Sequence, residues 1–116
     1  MNNCIFCKIV GKEAYAKIIY EDDDVIAFED INPQAKIHYL IIPKKHIVGI
    51  QEISKNDVSL VGKLFLVARK IAEKLNINNY ENGYRLVFNV GRDTGQSVFH
   101  LHLHFLAGRK FKWPPG

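Results

Sequence analysis

Apolar positions change their spacing along the chain, and this change separates one long helix from the strands around it. Between residues 54 and 75 they recur every three or four positions, which predicts an amphipathic helix with one buried face. Ser54 can cap this helix, and Asp57 adds the negative charge favoured in a first turn. Runs rich in β-branched and aromatic residues predict strands on both sides of it. These runs cover residues 17–20, 25–30, 38–43, 84–90 and 99–106.

This order of elements predicts a small α+β domain. The first two strands flank an acidic turn at residues 21–24 and are expected to form a hairpin, so the sheet is predicted to be antiparallel with the long helix packed on it. A short helix is expected at residues 4–10, ended by Gly11. The chain has 116 residues, of which 47% are hydrophobic, which suits one packed core. Residues 1–116 are therefore expected to form a single domain.

Composition and charge narrow the kinds of partner. The apolar runs are far shorter than the roughly 20 residues that cross a bilayer, and the N-terminus lacks a secretory apolar segment. We therefore expect no membrane association and a cytoplasmic location. The formal net charge of +4 is a mild bias toward anions. The basic residues form no long stripe interleaved with aromatic residues, so a small phosphorylated ligand is expected rather than nucleic acid.

Three histidines near the C-terminus alternate with three large apolar residues, Leu101, Leu103 and Phe105. Alternate side chains of a strand share a face, so the imidazoles are predicted to point one way, with neighbours roughly 6.6 Å apart. The apolar residues would then enter the core. A solvated strand face is the simplest alternative, but the whole chain has five histidines, and three on one face favour a functional site. The three histidines are His100, His102 and His104.

Two kinds of chemistry suit this histidine cluster. Three histidines can hold one zinc ion and leave a position for water. Alternatively, one imidazole attacks phosphorus and forms a covalent intermediate that water then hydrolyses. The preceding loop favours the second interpretation, because Gly95, Gln96 and Ser97 can supply backbone, amide and hydroxyl donors to phosphate oxygens.

Cys4 and Cys7 are three positions apart near the N-terminus. Their spacing is more typical of a metal or redox pair than of the disulfide framework of a secreted protein, and it favours a reducing compartment. A tetrahedral zinc site would need two further ligands from elsewhere in the chain. Two small buried residues one helical turn apart would also explain the pair, so these interpretations stay open.

Residues 95–104, with the sequence Gly-Gln-Ser-Val-Phe-His-Leu-His-Leu-His, resemble the histidine triad motif. The segments 28–35 and 38–46 and the ending Trp-Pro-Pro-Gly are similar to the Hint branch of that family, so the resemblance covers nearly the whole chain. It implies a five-stranded antiparallel sheet of the histidine triad (HIT) type. It also implies a homodimeric purine nucleoside phosphoramidase, which releases a nucleoside monophosphate and an amine through a nucleotidyl-histidine intermediate.

The resemblance also implies which residues act in catalysis. His102 would be the nucleophile, and His104 would be a donor to the phosphate and the leaving group. His38 stands where the family has a further active-site histidine, although a hydrogen-bonded strand histidine would explain it as well.

A second set of residues is implied to bind the nucleotide. Asp30 would accept from the ribose hydroxyls, although it also fits a turn-initiating aspartate ahead of Asn32 and Pro33. A terminal Trp113 would approach the active site of the partner subunit. The remaining implied residues are Phe28 and Ile31 at the base and Asn89, Gly95, Gln96 and Ser97 around the phosphate.

The cysteine pair is similar to bacterial members of the family that begin with Cys-x-x-Cys and differs from the animal Hint proteins. In zinc-bearing relatives the first histidine of the triad is a metal ligand. The resemblance therefore implies a structural Zn²⁺ bound by Cys4, Cys7, His46 and His100.

Other activities are compatible with the same motif. A dinucleoside polyphosphate hydrolase or a nucleotidyltransferase would use the same covalent intermediate, whereas a nucleotide-binding module would use the same residues without turnover. A zinc-activated hydrolase would lose activity, but not its fold, on removal of the metal.

Overall fold

A five-stranded antiparallel sheet forms the centre of the computed structural model, which describes residues 3–116. Its strands are β1 (Ile18–Glu21), β2 (Val25–Glu29), β3 (Ile37–Pro43), β4 (Arg85–Val87) and β5 (Leu103–Ala107). They lie in the order β1-β2-β3-β5-β4, so β1 and β4 are the edges of the sheet. A short helix, α1 (Ile5–Val10), precedes the sheet, and a long helix, α2 (Val58–Lys74), follows β3. The predicted α+β fold is confirmed.

The two faces of the sheet are covered differently. Along β3, Ile41 belongs to the core beneath α2, whereas Leu40 and Ile42 belong to a smaller cluster on the opposite face. Helix α1 covers part of this second face with Phe6 and Ile9. As predicted, the three apolar residues of the triad segment, Leu101, Leu103 and Phe105, are buried in the core beneath α2.

Helix α2 begins later than the apolar pattern predicted. Residues Lys55–Asp57 form a 3-10 turn, and the α-helix starts at Val58. The Ser54 backbone N–H donates to Asp57 Oδ2 at 2.9 Å, and the Asn56 N–H donates to Ser54 Oγ at 3.3 Å. This capping box satisfies donors that the first turn leaves free.

The last two strands are shorter than the predicted 84–90 and 99–106. The ladder between β4 and β5 ends where Val87 pairs with His104, and β5 begins at Leu103. His100 and His102 therefore precede the strand, and their placement on it was wrong. The reason is a competing bond, because the Leu101 N–H donates to the Ile47 carbonyl at 2.6 Å and holds this segment against the loop after β3.

No helix within residues 3–116 combines the length and apolar character that crossing a membrane would require.

Candidate active site and metal site

His102 is held in one tautomer by its own chain. Its Nδ1 atom lies 2.7 Å from the backbone carbonyl oxygen of His100. A carbonyl oxygen only accepts, so Nδ1 must carry the proton, and in the neutral ring Nε2 then carries the lone pair. Burial lowers the pKa of His102 below its ordinary value of 6.5. The ring is therefore neutral at pH 7, with a nucleophilic Nε2.

His38 and His104 form a second, connected pair. The Gln34 backbone N–H donates to His38 Nδ1 at 3.0 Å, so the proton of neutral His38 is on Nε2. This Nε2 lies 2.9 Å from His104 Nδ1. His104 accepts there and must carry its own proton on Nε2. Burial and the neighbouring histidines lower the pKa of His104 to about 4.

Asp30 lies at the edge of this pair. Its Oδ2 atom is 3.3 Å from His38 Nε2, and its Oδ1 accepts from the Asn32 backbone N–H at 2.8 Å. The carboxylate thus accepts a hydrogen bond within the turn, as a turn-initiating aspartate would. It also lies beside His38. Both interpretations of Asp30 are compatible with its position.

The loop before the triad is built around a buried amide. Gln96 is 2% exposed; its Oε1 accepts from the Gly91 N–H at 2.9 Å and its Nε2 donates to the Val48 carbonyl at 3.1 Å. The backbone N–H groups of Gly95 and Gln96 donate to loop carbonyls. In this conformation Gln96 shapes the loop, and the exposed Ser97 stays a predicted phosphate-binding residue. A Cβ on Gly95, which has φ +99°, would lie 3.9 Å from Asn89 Nδ2, so these two predicted phosphate-binding residues are neighbours.

The residues predicted to contact the nucleobase, and Trp113 near the C-terminus, differ in how far they are exposed. Phe28 is buried and packs against Phe6, with ring centroids 5.4 Å apart. Ile31 is 99% exposed and Trp113 is 81% exposed. Their roles in nucleotide binding stay predictions.

The four predicted metal ligands come together in space. Their ligand atoms, the Sγ atoms of two cysteines and the ring nitrogens of two histidines, all lie within 4.8 Å of one another. Cys4 Sγ is 3.4 Å from His100 Nδ1, Cys7 Sγ is 3.2 Å from His46 Nδ1, and the two Nδ1 atoms are 3.1 Å apart. The cluster joins α1, the loop after β3 and the triad segment.

This cluster fits a tetrahedral zinc ion. Zinc bonds of about 2.3 Å to sulfur and about 2.05 Å to nitrogen place neighbouring ligand atoms about 3.3 to 3.8 Å apart. Four of the six separations lie between 3.1 and 3.6 Å and need only small adjustments, and all six are within 4.8 Å. His100 Nε2 lies 2.8 Å from the Pro43 carbonyl oxygen and must donate to it, so its Nδ1 lone pair faces the cluster. Burial lowers the pKa of His100 to about 4, so the ring is neutral, as a metal ligand must be.

Phe6 was not predicted from the sequence as a site residue; it lies between the two cysteines. Its ring centroid is 5.2 Å from that of His102, at an interplanar angle of 87°. It also contacts Phe28 and His100. The available signal was a large apolar residue inside the Cys-x-x-Cys segment of a predicted short helix.

The chain is similar to proteins of one family over nearly its whole length. A family model described as "Scavenger mRNA decapping enzyme C-term binding" matches residues 3–112. An uncharacterized HIT-like protein of Synechocystis is 49% identical over 112 residues, which make up 97% of this chain and 96% of that protein.

Solved structures give the same result. A HIT family hydrolase from Legionella pneumophila has a TM-score of 0.94 at 48% identity and covers 98% of this chain and 100% of its own. A histidine triad protein from Clostridium difficile has a TM-score of 0.91 at 41% identity and covers 97% of this chain and 96% of its own. The chain therefore belongs to the histidine triad family and is similar to its hydrolases.

Proposed function

We propose that the protein is a purine nucleoside phosphoramidase, which splits the phosphorus–nitrogen bond of nucleoside 5′-phosphoramidates through a nucleotidyl-His102 intermediate. The products are a nucleoside monophosphate and an amine. The observation that carries the proposal is the bond from His102 Nδ1 to the His100 carbonyl, because it leaves Nε2 as a lone-pair donor beside a second histidine that carries a proton.

In the first step, the His102 Nε2 lone pair forms a bond to phosphorus while the phosphorus–nitrogen bond breaks. The substrate nitrogen reacts in its protonated form, keeps the electron pair of that bond and leaves as the neutral amine, while the Nε2–H of neutral His104 donates a hydrogen bond to it. In the second step, water attacks phosphorus and displaces Nε2 of His102. One proton of that water passes to solvent and balances the one that the leaving amine carried away, so one water is consumed and the enzyme is restored.

Nucleotide binding would draw on residues around this centre. Asp30 would accept from the ribose hydroxyls, and Phe28 with Ile31 would contact the base. The Ser97 hydroxyl and the loop with Asn89, Gly95 and Gln96 would surround the phosphate, where charge develops in the transition state.

Zinc would have a structural role in this proposal. Cys4, Cys7, His46 and His100 would hold it, and it would supply a link between α1, the loop after β3 and the triad segment. Reduced cysteines in such a site suit a cytoplasmic location, which we include in the proposal.

We further propose that the active form is a homodimer. The outer side of α2 exposes large apolar residues that a single copy leaves in water. Trp113 is also exposed and is proposed to approach the active site of the second copy. These residues are Val58, Phe65, Leu66 and Trp113, with exposures from 43% to 81%.

The proposed function is tested by rapid quench of the protein with an adenosine 5′-phosphoramidate, followed by intact mass measurement. We expect an added adenylyl group that peptide mapping assigns to His102. The His102→Ala variant is expected to form no adduct and to lose turnover, whereas His104→Ala is expected to form products slowly. A folded His102→Ala protein with near wild-type turnover would refute the nucleophile.

Product analysis separates the proposed activity from its rivals. Release of two nucleotides from a dinucleoside polyphosphate, or formation of a new nucleotide ester, at rates above phosphoramidate hydrolysis would favour the alternative enzymes. Binding of AMP without turnover of any of these substrates would favour a nucleotide-binding module.

A further inference from the structure

We propose that Phe6 is a positioning residue for the nucleophile, and that Cys4 and Cys7 hold Phe6 in place. This inference rests on the proposed role of His102. It assigns to the Cys-x-x-Cys segment a task in orienting the active site, in addition to holding a metal.

The first observation is the environment of the His102 ring. Phe6 meets it nearly edge-on, with centroids 5.2 Å apart and an interplanar angle of 87°. His104 also packs against it, with centroids 5.0 Å apart and an angle of 65°. His102 is 9% exposed. The imidazole is therefore enclosed by two rings, one of which belongs to α1.

The orientation of the His102 ring needs a restraint besides its hydrogen bond. One bond, from Nδ1 to the His100 carbonyl, fixes its orientation. The outer torsion of a histidine side chain has broad and roughly two-fold minima. Rotation of the ring by half a turn would remove Nδ1 from the carbonyl and Nε2 from the substrate side. Packing against Phe6 opposes that rotation, because a close-packed ring has no room to turn.

The third observation concerns what holds Phe6. Helix α1 has six residues, too few to be stable by itself. Its first turn is fixed at both cysteines. The Cys7 N–H donates to Cys4 Sγ at 3.3 Å, and the two sulfurs lie 3.4 Å and 3.2 Å from ring nitrogens of His100 and His46. Phe6 lies between these two anchors, so their loss would release it from His102.

The experiment compares Phe6→Leu with Ile26→Val in the zinc-loaded protein. Both changes shorten a buried side chain of the same apolar cluster, and Phe6 is the one whose aromatic ring packs against His102. Two-bond ¹⁵N–¹H correlation spectra distinguish the Nδ1–H from the Nε2–H tautomer of His102 without substrate. We expect the single Nδ1–H form in wild type and Ile26→Val and a mixture or exchange-broadened signals in Phe6→Leu. The rate of His102 adenylylation should fall about tenfold in Phe6→Leu and less than about twofold in the control.

A second arm tests the cysteine anchors by combining substitutions. Cys4→Ala with Cys7→Ala is expected to give the same altered His102 signal, and adding Phe6→Leu should cause little further loss, because both changes act through one contact. If the losses of adenylylation rate from the cysteine substitutions and from Phe6→Leu multiply in the combined variant, the two changes act independently, and the cysteines do not act through Phe6. If the cysteine variant does not fold, the Phe6→Leu comparison decides alone.

Phe6→Leu with the wild-type His102 signal and rate would overturn the proposal, as would equal changes in Ile26→Val. The spectra need no turnover. Absence of any adenylyl adduct in wild type would therefore refute the proposed function, while the effect of Phe6 on the His102 ring would still be measured.

Discussion

The Nε2 atom of His38 lies 2.9 Å from the Nδ1 atom of His104. Because the Gln34 N–H already occupies His38 Nδ1, the direction of this bond is fixed, and it decides which nitrogen of His104 faces the substrate with a proton. In the proposed mechanism His38 would therefore act on the reaction through the tautomer of His104.

Loss of the His38 donor should impair the chemical step. His38→Leu removes the proton that His104 Nδ1 accepts, and kcat is expected to fall about 10- to 100-fold with a smaller change in KM. His38→Gln keeps an N–H donor and is the matched control, with a smaller loss expected. Steady-state kinetics with an adenosine phosphoramidate make the comparison, and equal kcat values for His38→Leu and wild type would rule out this role.

Acidification should destabilise the fold through His104. Its pKa in the folded protein is about 4, below the ordinary imidazole value of 6.5, so the unfolded chain binds the proton more readily. This contribution to stability is present above about pH 6.5 and is lost as the pH falls toward about 4. Urea unfolding measures the free energy of unfolding at pH 7 and at pH 5. The decrease in this free energy from pH 7 to pH 5 should be smaller for His104→Gln than for wild type.

The contribution of a bound metal to stability is the same in wild type and His104→Gln, because position 104 is outside the Cys–His cluster of Cys4, Cys7, His46 and His100. An undiminished pH dependence in His104→Gln would mean that other buried groups account for it.

Replacement of Cys7 should weaken metal binding and stability together. The protein purified with zinc is expected to hold one ion per chain, and Cys7→Ser should hold much less and unfold at a lower temperature, because metal binding contributes folding free energy. His104→Gln serves again as the control and should keep its zinc. Metal content by plasma mass spectrometry and thermal unfolding provide the two measurements. Unchanged zinc content in Cys7→Ser would exclude the proposed site.

Removal of the buried Gln96 amide should loosen the phosphate loop. Gln96→Ala leaves the Gly91 N–H and the Val48 carbonyl without their partner, which is expected to cost about 1 to 3 kcal/mol of unfolding free energy. Gln51→Ala removes a single donor to the same amide and should cost less. Urea unfolding measures both losses of unfolding free energy. A Gln96→Ala protein as stable as Gln51→Ala would contradict this account of the loop.

The local patterns predicted most of the fold. The alternation of apolar residues with histidines correctly predicted that Leu103 and Phe105 are in the core. The three- and four-residue spacing of apolar residues correctly predicted α2. The start of β5 was not predictable in this way. It depends on the bond between Leu101 and Ile47, residues far apart in sequence, and a local pattern carries no information about such a partner.

The candidate site was predictable to a similar degree. The histidines and the four possible metal ligands were identified from the motif and the resemblance, and the structure brings the ligands together. The inward direction of Gln96 and the contact of Phe6 with His102 were not, because both depend on how a loop and a short helix pack on the finished sheet.

The Cys–His cluster also has a consequence for the order of events during synthesis. Its ligands stand at positions 4, 7, 46 and 100 of 116, and a chain leaves the ribosome from its N-terminus. The two thiols therefore emerge well before His100, which follows Cys7 by 93 positions. During that interval the thiols lack the two histidine neighbours of the folded cluster, and we expect them to be more open to oxidants and to competing metals than in the finished protein.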